Sequence, residues 1–140
     1  MATLLGTPYE RGKSDVIISR LVDAPIQEGL IVADAGDGKV KPFEGGATPL
    51  GVMGQNEIVG CSVVLAGLKV YAQADDACEP VVGGQVFVTA EGKVTNAEEG
   101  NTGLKAEFAE GALKENGVTD NTAVKAQNLK CVAINFVGGF

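Results

Sequence analysis

The sequence contains no histidine and no tryptophan. Without an imidazole there can be no Ser-His-Asp triad, no Cys-His pair and no histidine-ligated metal. Only paired-carboxylate, lysine-based and cofactor-dependent chemistries stay open. Aromatic residues make up 5% of the chain, so the core has to be built from Val, Leu, Ile and Ala. A stacking platform for sugar rings is hard to assemble when Tyr9 and Tyr71 are the only tyrosines. Basic residues are outnumbered, 11 against 18 acids, giving a net charge of −7. That balance argues against a nucleic-acid partner, which needs a basic stripe to displace counterions from phosphates. It argues equally against docking on an anionic membrane. No run approaches the ~20 apolar residues of a membrane-spanning helix. Met1 to Leu5 is too short for a signal-peptide core and is followed by Glu10, Arg11 and Lys13. The expectation is a protein made and used without secretion.

Cysteine is sparse as well. Cys61, Cys78 and Cys131 are an odd number with no C-x-x-C spacing, each in or beside an apolar stretch. They read as small buried hydrophobes in a reducing compartment. Asp75, Asp76 and Glu79 around Cys78 would raise a thiol pKa, so a reactive cysteine is not expected there.

What is abundant is glycine, 20 of 140 residues, scattered between short apolar runs. At this length one domain with a substantial core needs neither disulfide nor metal. Asp15 to Val22 is the first strong strand candidate, and Pro25 ends it. Leu30 to Ala33 and Lys39 to Phe43 flank a turn at Gly36-Asp37-Gly38, which is a hairpin signal. Leu50 to Met53 follows, then Ser62 to Ala66 and Leu68 to Ala72, split by Gly67. Gln85 to Thr89 and Lys93 to Thr95 form a second hairpin around Ala90-Glu91-Gly92. In the last run, Lys130 to Phe136, residues Val132, Ile134 and Phe136 share one face. Short strands with a turn about every ten residues predict an all-β, jelly-roll-like sandwich or barrel.

Residues 1 to 14 have no clear period and read as an N-terminal arm, with residues 15 to 140 as a single β domain. Leu104, Ala106 and Phe108 alternate as in a strand, so Gly103 to Phe108 is assigned to one. The helix formers of residues 104 to 114 leave one helix there as the alternative. Residues 115 to 122 read as a surface loop.

The two hairpins are related. Gly29-Leu30-Ile31-Val32, Gly38-Lys39-Val40-Lys41 and Thr48-Pro49-Leu50 form one series. Gly84-Gln85-Val86-Phe87, Gly92-Lys93-Val94-Thr95 and Thr102-Gly103-Leu104 form another. The offset is about 55 residues at the first glycine and 54 at the others, which predicts two pseudo-repeated halves.

Motifs that carry chemistry fail one by one. Asp34, Asp37 and Glu44 lack the alternating ligands of a calcium loop and read as turn residues. Gly36-Asp37-Gly38-Lys39 is followed by Val40 rather than Ser or Thr, so it is no phosphate loop. Asp75, Asp76 and Glu79 read as a solvated loop before Pro80. Lys39 and Lys93 each follow a turn glycine between two strands; lipoyl and biotinyl carrier domains expose their modified lysine at such a hairpin tip, usually as Asp-Lys-Ala or Met-Lys-Met rather than Gly-Lys-Val, and this leaves a carrier domain as an alternative. A carbohydrate-binding β domain is a second one. No enzymatic activity, metal or cofactor is expected.

Several runs, taken in order, resemble the small capsid cement (decoration) proteins of tailed bacteriophages. They are Glu28 to Val32, Gly38 to Pro42, Thr48 to Met53, Gly67 to Ala72, Gly83 to Val88 and Gly92 to Asn96. The resemblance covers roughly residues 27 to 96 and the final strand; Leu104-Lys105-Ala106 and the segment after it depart from the family pattern. It implies a structural protein on the outer capsid surface of a virion, assembled in the host cytoplasm. Its partners would be the major capsid protein and itself, as a homodimer in preference to a homotrimer. Leu4, Leu5 and Tyr9, apolar residues on a segment without strand pattern, are the candidate partner-binding residues.

Overall fold

The computed structural model describes residues 8–10, 16–24, 26–57, 60–115 and 129–136. Among them there is no helix, and the chain is all-β. β1 (Pro8–Glu10) and β2 (Val16–Val22) precede a meander of β3 (Ile31–Gly36), β4 (Lys39–Pro42) and β5 (Pro49–Glu57). The long β6 (Gly60–Gln73) leads into a second meander of β7 (Gln85–Val88), β8 (Val94–Thr95) and β9 (Thr102–Phe108). The short β10 (Lys114–Glu115) and β11 (Lys130–Phe136) complete the order. Residues 104 to 108 lie within β9 and Lys114 in β10, so the strand reading of Gly103 to Phe108 holds and the helical alternative does not.

β6 organises the molecule. Its first half pairs with β2 and β5, its second half with β1 and β11. The sequence reading splits this strand at Gly67, but the chain bends there without breaking. Lys69 takes φ +51°, unusual for a residue with a side chain, and its N–H donates to Asn135 Oδ1 at 3.1 Å. β11 answers with an irregularity between Ile134 and Phe136.

In the first half, β4, β3, β5 and β6 pair in that order, and the parallel pair of β2 with β4 at Leu21–Lys39 and Val22–Val40 closes the ring. The ring interior takes Ile18 and Val22 from β2, Val32 from β3, Val40 from β4, Met53 from β5 and Val63 from β6. The second half repeats the order as β8, β7, β9, β11 and β6. It curls the same way, and among the described residues a single parallel bridge, Ala74–Val94, joins the end of β6 to β8.

The backbone shows the repeat more fully than the side chains do. Three pairs of positive-φ glycines lie 54 residues apart: Gly29 and Gly83, Gly38 and Gly92, Gly46 and Gly100. Gly29 N–H donates to Met53 O and Met53 N–H to Leu30 O; Gly83 N–H donates to Phe108 O and Phe108 N–H to Gly84 O. Gly29 therefore corresponds to Gly83, not to Gly84, and the offset of about 55 at the first glycine is corrected to 54. The extra residue is in β9, where the β7–β9 register shifts between Gln85 and Val86.

The two halves share one core. Val70, Val86, Val94, Phe108, Val132 and Ile134 of the second half pack with Ile31, Phe43 and Val52 of the first. β3 and β5 thus bury both faces, Val32 and Met53 inward, Ile31 and Val52 against the second half. Ile31 and Val52 are fully buried, which stabilises the junction by about 2 kcal/mol for each side chain.

Part of the arm turns out to be a strand. β1 lies antiparallel on β6, with Pro8 opposite Val70 and Glu10 opposite Leu68. Apolar alternation could not reveal it, because a sheet edge recruits backbone groups whatever the side chains are.

Candidate functional site

The junction between the halves defines a face whose counterpart is open. On the first half, the turn leading into β3 inserts into the seam of the second half. Gln73 N–H donates to Gly29 O, and Ile31 N–H donates to Gly92 O at 2.8 Å. The Gln73 side chain is buried and donates to Gln27 Oε1 at 3.0 Å and to Glu28 O at 2.8 Å. Ile31 and Val52 form the apolar floor of this contact.

On the second half the corresponding turn is Val81-Val82-Gly83, and the corresponding sheet face is the outer side of β7 and β9. Val81 and Val82 are each 66% exposed, the most exposed large apolar residues among those described. Gln85 and Glu107, both exposed, stand where Ile31 and Val52 stand in the first half. With Gly83, Lys105 and Ala106 they line an open groove of about 450 Å³. Lys105 and Glu107 point outward, whereas Leu104 and Phe108, alternating with them, are buried. Sequence reasoning missed this face. Its signal was present in the repeat, as apolar Val81 and Val82 opposite Gln27 and Glu28, but nothing in the sequence says which face the first half buries.

Of the residues singled out from sequence, Leu4 and Leu5 lie outside the described residues. Tyr9 is the central residue of β1, which runs beside exposed Leu68. Lys39 Nζ is 2.7 Å from Asp23 Oδ1, and the pair is well exposed. Asp34 Oδ1 accepts from Gly36 N–H at 3.0 Å, and Asp75 Oδ2 accepts from Ala77 N–H at 3.2 Å. Both carboxylates thus serve their own turns.

A polar clamp lies on the outer face of β6. Tyr71 OH donates to Glu110 Oε1 at 3.1 Å, and Lys114 Nζ donates to Tyr71 OH at 2.7 Å. Lys114 also pairs with Glu110 Oε2 at 2.8 Å and sits 4.9 Å from the Tyr71 ring centroid. Hydrogen bonds first to Glu110 and then to Tyr71 hold its ammonium well above the ordinary lysine range. The Glu110–Lys114 spacing, which favours a helix in sequence, here ties the β9–β10 connection over Tyr71, Cys131 and Ala133. Cys78 and Cys131 are free and buried. Burial pushes both thiols up to about 11, which suppresses the nucleophilic thiolate. The Cys61 side chain lies outside the described residues.

Comparison with models of protein families finds no match, and comparison with curated proteins finds none either.

Proposed function

We propose that this chain is a structural protein that binds the outer surface of an assembled phage capsid and bridges neighbouring capsid subunits, stabilising the head. The observation that carries the reading is the order of sequence runs that resembles phage cement proteins. Those runs coincide with the β3–β4–β5 meander, the second half of β6 and the start of the second meander. Two β units that share one core, with the adjacent Val81 and Val82 both exposed, support a role in protein contact. Leu4, Leu5 and Tyr9 are proposed to contribute to the capsid contact. The partners are the major capsid protein and a second copy of the chain.

Bridging predicts a mechanical effect on the head. Phage heads incubated with the protein should release DNA at a higher temperature than bare heads, by several degrees. Removing residues 2–7 spares β1 and should reduce that gain if the arm takes part. A full-length protein that leaves the release temperature unchanged would contradict bridging.

A further inference from the structure

We propose that the outer face of β7 and β9, with the Val81-Val82 turn at its edge, is a two-fold interface with a second copy of this chain. The inference deepens the self-association included in the reading above by naming its surface, and its test needs no capsid.

The internal repeat shows what covers such a face. In the first half the same turn and the same two strands are buried against a β unit of the same topology, with Ile31 and Val52 at the centre. In the second half Gln85 and Glu107 replace these two residues, so the face is soluble when uncovered. Apolar surface has moved to the rim, where Val81 and Val82 are each two-thirds exposed in place of Gln27 and Glu28. Permanent interfaces carry an apolar centre and a polar rim; the reversed arrangement here suits a contact that opens and closes.

Charge selects the occupant. Lys105 and Glu107 point outward on either side of Ala106 along β9. A two-fold axis lying in the plane of the joint, perpendicular to β9 at the level of Ala106, sets β9 antiparallel to its copy. Each Lys105 then faces the copy's Glu107, and the opposite pair follows by symmetry. The surface is therefore complementary to itself. Among the described residues Lys105 has no ion-pair partner, and Glu107 accepts only a long 3.4 Å bond from Asn135. Val81 and Val82 are placed to cover the edge of the joint and exclude water from the pairs.

Charge reversal tests this directly, with the dissociation constant read by sedimentation velocity on the full chain. Lys105→Glu alone and Glu107→Lys alone should each weaken the dimer by about tenfold or more, because like charges then meet twice across the axis. The double variant K105E/E107K restores both pairs and should recover affinity to within about threefold of the original. Val81→Asp should weaken the dimer in the original chain and in the double variant alike. All three positions are exposed, and circular dichroism should stay unchanged. A monomeric original chain would overturn the proposal, as would open-ended assemblies, which indicate head-to-tail contact. A double variant no better than the single ones would also overturn it. A chain that dimerises this way yet ignores phage heads keeps this interface and loses the capsid reading.

Discussion

Gly38 and Gly92 occupy the same place in the two halves, with φ of +74° and +81°, yet their surroundings differ. A Cβ on Gly38 would meet nothing within 4 Å, whereas one on Gly92 would come within 3.0 Å of Ile31 O. Gly92 is where the first half enters the seam of the second. Gly38→Ala should cost about 1 kcal/mol, the strain of a left-handed residue. Gly92→Ala should cost about 1 to 2 kcal/mol more, because it also pushes on the junction bond from Ile31 N–H to Gly92 O. Urea unfolding of both variants checks the difference, and equal losses would mean that the junction is looser than described.

Gln73 is the polar counterpart of that contact. Its Nε2 donates to Gln27 Oε1 and Glu28 O from a buried position. Gln73→Ala removes two hydrogen bonds from a buried position, at a cost of about 1 to 3 kcal/mol. Gln73→Glu should be worse than Gln73→Ala, since a buried carboxylate would then face two acceptors. Thermal unfolding of both variants gives the order. A milder effect for Glu than for Ala would contradict the geometry.

The buried thiols link stability to alkaline pH. Both are raised from 9.0 to about 11, chiefly by desolvation, so the unfolded chain ionises first. Their contribution is complete below pH 9 and is lost as pH rises towards 11, on the order of 2 kcal/mol for each thiol when fully expressed. The variant Cys78→Ala/Cys131→Ala should show a smaller fall in unfolding free energy across that window than the original chain. At neutral pH, labelling of Cys78 and Cys131 by a thiol reagent should be slow in the native protein and fast in urea. Rapid native labelling of either residue would contradict their burial.

Much of the fold was legible because β3, β4, β7 and β11 carry apolar residues between glycine turns. The Gly-Lys-Val pair at Gly38 and Gly92 announced the repeat. Val132, Ile134 and Phe136 do share the core face of β11. Three features were not legible, for identifiable reasons. β6 stays continuous through Gly67 because the Asn135 side chain caps the bend at Lys69, a contact between residues far apart in sequence. β1 is held by backbone pairing that apolar alternation does not encode. The open β7–β9 face is visible only by comparison with Ile31 and Val52. In sequence these belong to uninterrupted apolar runs, which do not tell which side faces inward.

The central claim is that this chain binds the outside of a phage head, and co-sedimentation of the purified full-length protein with phage heads tests it most directly. Binding should saturate at a fixed ratio to the major capsid protein and should be absent with unassembled capsid subunits, because the bridged site exists only between neighbours. A protein that stays in the supernatant at every concentration, or that binds free subunits as well as heads, would contradict the account.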